Sequence, residues 1–252
     1  YGDPDPALTY QITSGSLVTG DSFSGGLTHD AGENVGAYNI NQGSLTLNSN
    51  YVLTYVGGKL TIKERPITVT ADSQSKVYGD ADPALTYKIT SGSLAFSDAF
   101  TGDLTRDTGN NVGAYNINQG SLTLNGNYDL KYIGDKLTIS TRPVTITTDP
   151  QTKVYGDVDP ALTYQITSGS LVTGDSFGGD LVRDAGENVG NYAIKKGTLA
   201  LSANYDLTYI GNNLEINKKT ASVTPTAASK AYGDPDPTLT GTLTGFLPAD
   251  SV

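Results

Sequence analysis

The chain repeats itself at a fixed step. The string "YGDPDPALTY" at 1–10 returns as "YGDADPALTY" at 78, "YGDVDPALTY" at 155 and "YGDPDPTLTG" at 232, so Tyr1, Tyr78, Tyr155 and Tyr232 stand 77 residues apart. Residues 1–77 and 78–154 align without gaps and are identical at 54 of 77 positions. The copy at 155–231 keeps the same register, and 232–252 diverges after "YGDPDPTLT". Self-similarity at one period marks a tandem array, not a single large domain. A unit of this size can bury one small core, although it is marginal alone.

The unit does not start at the tyrosine. "RPITVTAD" at 65–72 alternates Ile67, Val69 and Ala71 with polar residues, which predicts a half-buried strand. Leu85, Tyr87 and Ile89 share one face of "LTYKIT", and "VGAYNI" carries Val112, Tyr115 and Ile117 with a register break near Gly113. "YDLKYIGDKLTI" at 128–139 reads as a hairpin turning at Gly134-Asp135. Residues 92–102 allow at most one short helical turn near Asp98, since glycine and serine flank it. The boundaries that follow are 1–63 (a repeat lacking its first strand), 64–140 and 141–217 (complete repeats), and 218–252 (a truncated, divergent repeat). The fold class is mostly β: a tandem array of small antiparallel domains with about seven short strands each. An immunoglobulin-like sandwich is favoured, and a β-grasp-like sheet with one short helix is the alternative. The first two junctions are short and contain proline, so the array is expected to form an elongated, semi-rigid rod.

Composition narrows the function. Thirty glycines among 252 residues suit short strands joined by many turns. There is no cysteine, hence no disulfide framework or thiol chemistry. A net charge of −10 argues against nucleic acid and anionic lipid as partners. No apolar run is long enough to insert in a membrane, and no signal peptide is visible. Methionine is absent even at position 1, which suggests a processed chain or an interior window of a longer one.

Each candidate site carries a plainer reading beside it. Asp-x-Asp-Pro is first a turn former, because aspartate bonds nearby amides and proline fixes the next φ. Two aspartates at a spacing of two, with a third acid nearby, also suggest a weak calcium site: Asp80, Asp82 and Asp107, with equivalents Asp3, Asp5 and Asp30, and Asp157, Asp159 and Asp184. No other metal or cofactor is expected. The sixteen tyrosines all occupy repeat positions and read as core and strand-pairing residues with bonded hydroxyls, Tyr38 serving as a tyrosine corner. A sugar-binding platform is the alternative. His29, replaced by Arg106 and Arg183 in the other copies, reads as a solvated surface position and not a catalytic one. Lys76, Lys153 and Lys230 precede the tyrosines and raise the option of an isopeptide bond to aspartate or to Asn127 or Asn204. No nucleophile elbow, phosphate loop or zinc spacing appears, so no catalytic residue and no enzyme activity are expected.

The unit from "KVYGDADPALTY" through "GSL", Asp-x-Phe, "NVGAY" and "NY" to the closing "KLTI" resembles the MBG domain family, the mostly-β, glycine-rich repeats of large bacterial surface proteins. The resemblance spans essentially the whole chain. It implies a stalk or the body of an extracellular fibre serving adhesion, biofilm or filament formation at the bacterial cell surface. It carries over no catalytic residue and no ligand. The partners expected are the chain's own repeats, including head-to-tail or lateral homopolymers in which one chain's tail completes the next chain's head. The alternative is an adhesin module, calcium-rigidified, that binds glycans or host proteins.

Overall fold

The computed structural model describes residues 1–248. Within them the chain is built from strands and tight turns, with no α-helix. It divides into two compact units, one of Tyr1–Lys76 with Ala81–Ile139, the other of Val77–Asp80 with the residues from Ser140 onward.

The first unit opens with β1 (Thr28–His29), β2 (Gly36–Asn41) and β3 (Gly58–Ile62), which form one antiparallel sheet in that order. The second repeat follows with seven strands: β4 (Arg65–Ala71), β5 (Gln74–Val77), β6 (Tyr87–Ser91), β7 (Thr105–Arg106), β8 (Gly113–Asn118), β9 (Tyr128–Ile133) and β10 (Lys136–Ser140). They make two sheets, ordered β6-β4-β9 and β5-β10-β8-β7. The period-two pattern of β4 sends Ile67, Val69 and Ala71 into the core, each at most 2 % exposed, while the threonines between them face outward. Ala71 meets Ile117 of β8 and Leu137 of β10, with Leu85, Leu104 and Tyr132 packed around them. The two sheets therefore close on one another across these side chains.

The second unit repeats this plan with β11 (Arg142–Thr148), β12 (Gln151–Val154), β13 (Tyr164–Ser168), β14 (Val182–Arg183), β15 (Gly190–Lys195), β16 (Tyr205–Ile210) and β17 (Asn213–Asn217). Its sheets run β13-β11-β16 and β12-β17-β15-β14. Val144 and Ile146 of β11 pack with Leu199 and Tyr205. A last antiparallel pair, β18 (Ser222–Pro225) with β19 (Gly241–Thr244), has the same relation as β11 with β13.

Three expectations change. The stretch at 128–139 is not a hairpin, because β9 pairs in parallel with β4 and β10 pairs antiparallel with β8. The bend at Gly134-Asp135 carries the chain from one sheet to the other: the Ile117 amide donates to the Asp135 carbonyl (2.7 Å), and the Ile117 carbonyl accepts the Tyr132 hydroxyl (2.9 Å). The parallel pairs β4–β9 and β11–β16 also depart from an immunoglobulin sandwich, whose sheets are antiparallel throughout. Finally, no helical turn forms at 92–102, nor the short helix of a β-grasp. Gly92 and Gly102 flank it at φ +78° and +79°, and Asp98 spends its carboxylate on side chains instead of helix amides.

The tyrosine corner holds in three copies. The hydroxyls of Tyr38, Tyr115 and Tyr192 donate to the carbonyls of Asn34, Asn111 and Asn188 at 2.7–2.8 Å. Only glycine fits beneath these rings: a Cβ at Gly109 would lie 2.3 Å from Tyr115, at φ +140°. Among residues 1–63, the segments matching β6 and β9 are not strands, and Val52 and Val56 are 98 % and 80 % exposed. In the second repeat β4 lies between those two segments and supplies hydrogen bonds to both.

Candidate inter-repeat joint

The recurring Tyr-Gly-Asp does not serve its own repeat. It enters the next one. In the first unit the Tyr1 amino group donates to the Lys63 carbonyl (2.8 Å), beside the start of β4. The Tyr1 ring lies edge-on to Tyr128 and Phe96, with centroids 5.5 and 5.4 Å away. Its hydroxyl donates to Asp98 Oδ2 (2.8 Å), which also accepts the Tyr128 hydroxyl (2.8 Å), while Asp98 Oδ1 accepts Asn125 Nδ2 (2.8 Å). These donors hold the Asp98 carboxyl below the usual carboxylate range, Tyr1 contributing most.

Arg65 closes the other side. Its Nη1 donates to the Tyr1 carbonyl (3.0 Å) and to Asp3 Oδ1 (2.8 Å), and Nε and Nη2 donate to the carbonyl and hydroxyl of Ser93 (3.0 and 3.1 Å). A planar fork with several fixed donors can hold two segments at once, which a lysine ammonium does less well.

The second unit contains the same assembly, and this is why Val77–Asp80 groups with the residues after Ser140. The Tyr78 amide donates to the Ser140 carbonyl (2.9 Å). The Tyr78 and Tyr205 hydroxyls share Asp175 Oδ2 (3.1 and 2.6 Å), and the two rings meet edge-on at 5.5 Å. Arg142 Nη1 donates to the Tyr78 carbonyl and to Asp80 (both 2.9 Å). Gly79, at φ +84°, rests on Val172; a Cβ there would lie 2.2 Å from Val172 Cγ2. A third instance is chemically different. The Tyr155 amide donates to the Asn217 carbonyl (2.9 Å) and Gly156 faces Leu247, but Lys219 stands where the others have arginine.

The aspartates proposed for calcium divide among separate tasks. Asp3 and Asp80 take the joint arginines. Asp82 pairs with Lys76 and Arg106 (2.6 Å each), and Asp159 with Lys153 (2.7 Å) and Arg183 (2.6 Å). Arg183, and after it Lys153, pulls the Asp159 carboxyl down to about 2. Asp30 and Asp107 accept side-chain amides, from Asn39 and Asn41 and from Asn116 and Asn118. Asp184 pairs with Lys195, and the Asp157 amide closes a turn on Val154 (3.0 Å). The Arg106 guanidinium itself bridges the Asp82 carboxylate (2.6 Å) and the Asp107 backbone carbonyl (2.8 Å). Among the described residues no group of three or more His, Cys, Asp or Glu side chains is placed to hold a metal ion. With these carboxylates engaged by cations and amides, the melting temperature is expected to be the same in excess calcium and in EDTA; a rise with calcium would favour the metal reading.

The isopeptide option meets ion pairs. Lys153 Nζ lies 2.6 Å from Glu187 as well as 2.7 Å from Asp159. Lysine here is held charged and aspartate ionised, the opposite of the neutral pair that condensation needs. Asn127 bonds the Val35 amide (2.9 Å) and Asn34 (3.0 Å) of the preceding repeat.

His29 is not simply solvated; its side chain is 19 % exposed. Nε2 lies 2.8 Å from Asp5 Oδ2 and Nδ1 2.7 Å from the Asp30 carbonyl. Both neighbours offer oxygens, an arrangement that the doubly protonated ring satisfies at both nitrogens. His29 thus stands in for the arginine of later copies, and the Asp30 carbonyl followed by Asp5 raises its pKa. A raised folded-state pKa gives stability that is complete below the unfolded value, about 6.5, and lost as pH rises through the folded value. Denaturation midpoints should fall over that range in the native chain, and His29→Arg should remove the fall. Equal slopes for both would refute the pairing.

Arg65, Arg142, Asp98 and Asp175 escaped sequence reasoning, because each acts on a tyrosine 64–97 positions away. The available signal was their recurrence at the step of the tyrosines. Neither a curated protein nor a solved structure matches the chain. The family model for the MBG domain (YGX type) matches residues 1–61, 67–138, 144–215 and 221–252, so the chain belongs to the MBG domain family and consists of tandem copies of its Tyr-Gly-X form.

Proposed function

We propose that this chain is a load-bearing structural segment, a stalk or the body of an extracellular fibre on a bacterial surface protein. The MBG family is a structural, adhesin-type module and not an enzyme family, and it implies a repeat segment of a surface protein. The observation that carries the finer reading is the repetition of one joint. Tyr1 and Tyr78 are each held by an arginine, an aspartate and a tyrosine of the following repeat, in matching geometry. Such contacts couple neighbours in an array whose stability is a sum of unit and interface terms. The repeats themselves are the partners in this reading, and no ligand is required.

Single-molecule stretching of the whole chain tests it. Tyr78→Ala combined with Arg142→Ala should lower the force at which the third repeat first yields. Unchanged force would show that the joint carries no load. Selective binding of a surface glycan by the chain, lost on mutation of exposed loop residues, would favour the adhesin alternative.

A further inference from the structure

We propose that Asn125 is a site of spontaneous covalent ageing that loosens the first joint; its mechanical consequence rests on the joint described above. Asn125-Gly126 is the one Asn-Gly pair in the sequence. Both residues are exposed, and Gly126 has nothing within 4 Å of where a Cβ would stand. Asn125 closes a side-chain turn: its Oδ1 accepts the Asn127 amide (3.0 Å), folding the side chain over the Gly126 backbone. Its Nδ2 meanwhile donates to Asp98, the carboxylate that holds Tyr1 and Tyr128.

The chemistry balances without any added reagent except water. The Gly126 backbone nitrogen, losing its proton to solvent, attacks Asn125 Cγ. Negative charge develops on Oδ1, where the Asn127 N–H already points. The Cγ–Nδ2 bond breaks, Nδ2 takes up one proton from solvent, matching the one lost by the Gly126 nitrogen, and leaves as ammonia, and a five-membered imide remains. Water opens that ring at either carbonyl, giving aspartate or isoaspartate at position 125. The product replaces a donor to Asp98 by a second carboxylate, and like charges at that separation repel.

Asn48 is a built-in control. It makes the same two hydrogen bonds, accepting the Asn50 amide (3.0 Å) and donating to Asp21 (2.9 Å), but Ser49 follows it. A side chain at that position hinders attack by the backbone nitrogen, whereas glycine does not. In the third copy Ser202 stands in place of asparagine.

The experiment incubates the full chain at mildly alkaline pH and maps peptides by mass, where conversion adds about one mass unit. Asn125 should convert well ahead of Asn48, and Gly126→Ala should suppress it. The aged chain should then melt below both the fresh chain and aged Gly126→Ala, and fresh Asn125→Asp should show a similar drop. Conversion at Asn125 no faster than at Asn48 overturns the proposed site. Full conversion with no change in melting overturns its effect on the first joint; the stretching test, made on Tyr78 and Arg142 of the second joint, stands apart from that outcome.

Discussion

Gly79→Ala is expected to destabilise the second joint by about 3 kcal/mol. Two physical terms contribute. At φ +84° an L-residue suffers a clash between its Cβ and the backbone, which costs about 1–2 kcal/mol. The new methyl would also stand 2.2 Å from Val172 Cγ2 and 3.4 Å from its Cβ. Valine is branched at Cβ and stiff at χ1, so it cannot turn away, and the backbone must shift instead. Gly156 faces the outer methyls of the longer Leu247, at 2.6 Å, and leucine is not branched at Cβ, so Gly156→Ala should be milder. Val172→Ala in the Gly79→Ala background should recover the steric part and leave the backbone part. The measurement is hydrogen exchange at the Tyr78 amide, which bonds the Ser140 carbonyl, alongside denaturation of the whole chain fitted to unit and interface terms. Wild-type protection of that amide in Gly79→Ala would refute a close-packed joint.

The sequence made the strands legible wherever burial alternates with exposure. Ile67, Val69 and Ala71 announce β4 because every second side chain must leave water. The same rule failed at 128–139. Tyr128, Leu130 and Tyr132 face one core from β9, and Leu137 and Ile139 face it from β10 in the opposite sheet. Two strands that flank a core from opposite sides show the same alternation as two strands of a hairpin. Only the hydrogen-bond partners separate them, and those lie at β4 and β8. The role of Asp98 is hidden in the sequence for a related reason. Glycine and serine around it mark a turn, and a lone aspartate in a turn commonly caps local amides. Its actual donors, Tyr1 and Tyr128, come from 97 and 30 residues away. The Asp-x-Asp-Pro string was informative about its turn but silent about its charges. The first aspartate faces an arginine of the next repeat, whereas the second faces cations of its own repeat. Two carboxylates two positions apart thus support different levels of organisation, between repeats and within one.

Asp175→Ala should be the more damaging change to the polar side of the joint, at about 2 kcal/mol or more. Tyr78 and Tyr205 both donate to one oxygen of this carboxylate, and Tyr205 is only 8 % exposed. Removing the acceptor leaves the Tyr205 hydroxyl still accepting the Val172 amide (2.8 Å) but with no partner for its own proton. An unmet donor in a shielded site costs more than an ordinary hydrogen bond contributes, because desolvation has already occurred. Tyr78→Phe provides the contrast: it removes one donor while Tyr205 keeps Asp175 satisfied, and should cost about 1 kcal/mol. Groups that share one oxygen are coupled, so Asp175→Ala with Tyr78→Phe should cost clearly less than the two single changes summed. Strict additivity in that cycle would mean that Tyr78 does not depend on Asp175. The joint would then rest on the arginine and on ring packing alone. Arg142→Lys separates those contributions. A lysine retains the charge facing Asp80 but cannot also hold the Tyr78 carbonyl and both Ser170 oxygens. Wild-type stability in Arg142→Lys would reduce the clamp to a simple ion pair, and the Lys219 joint would then be equivalent to the other two.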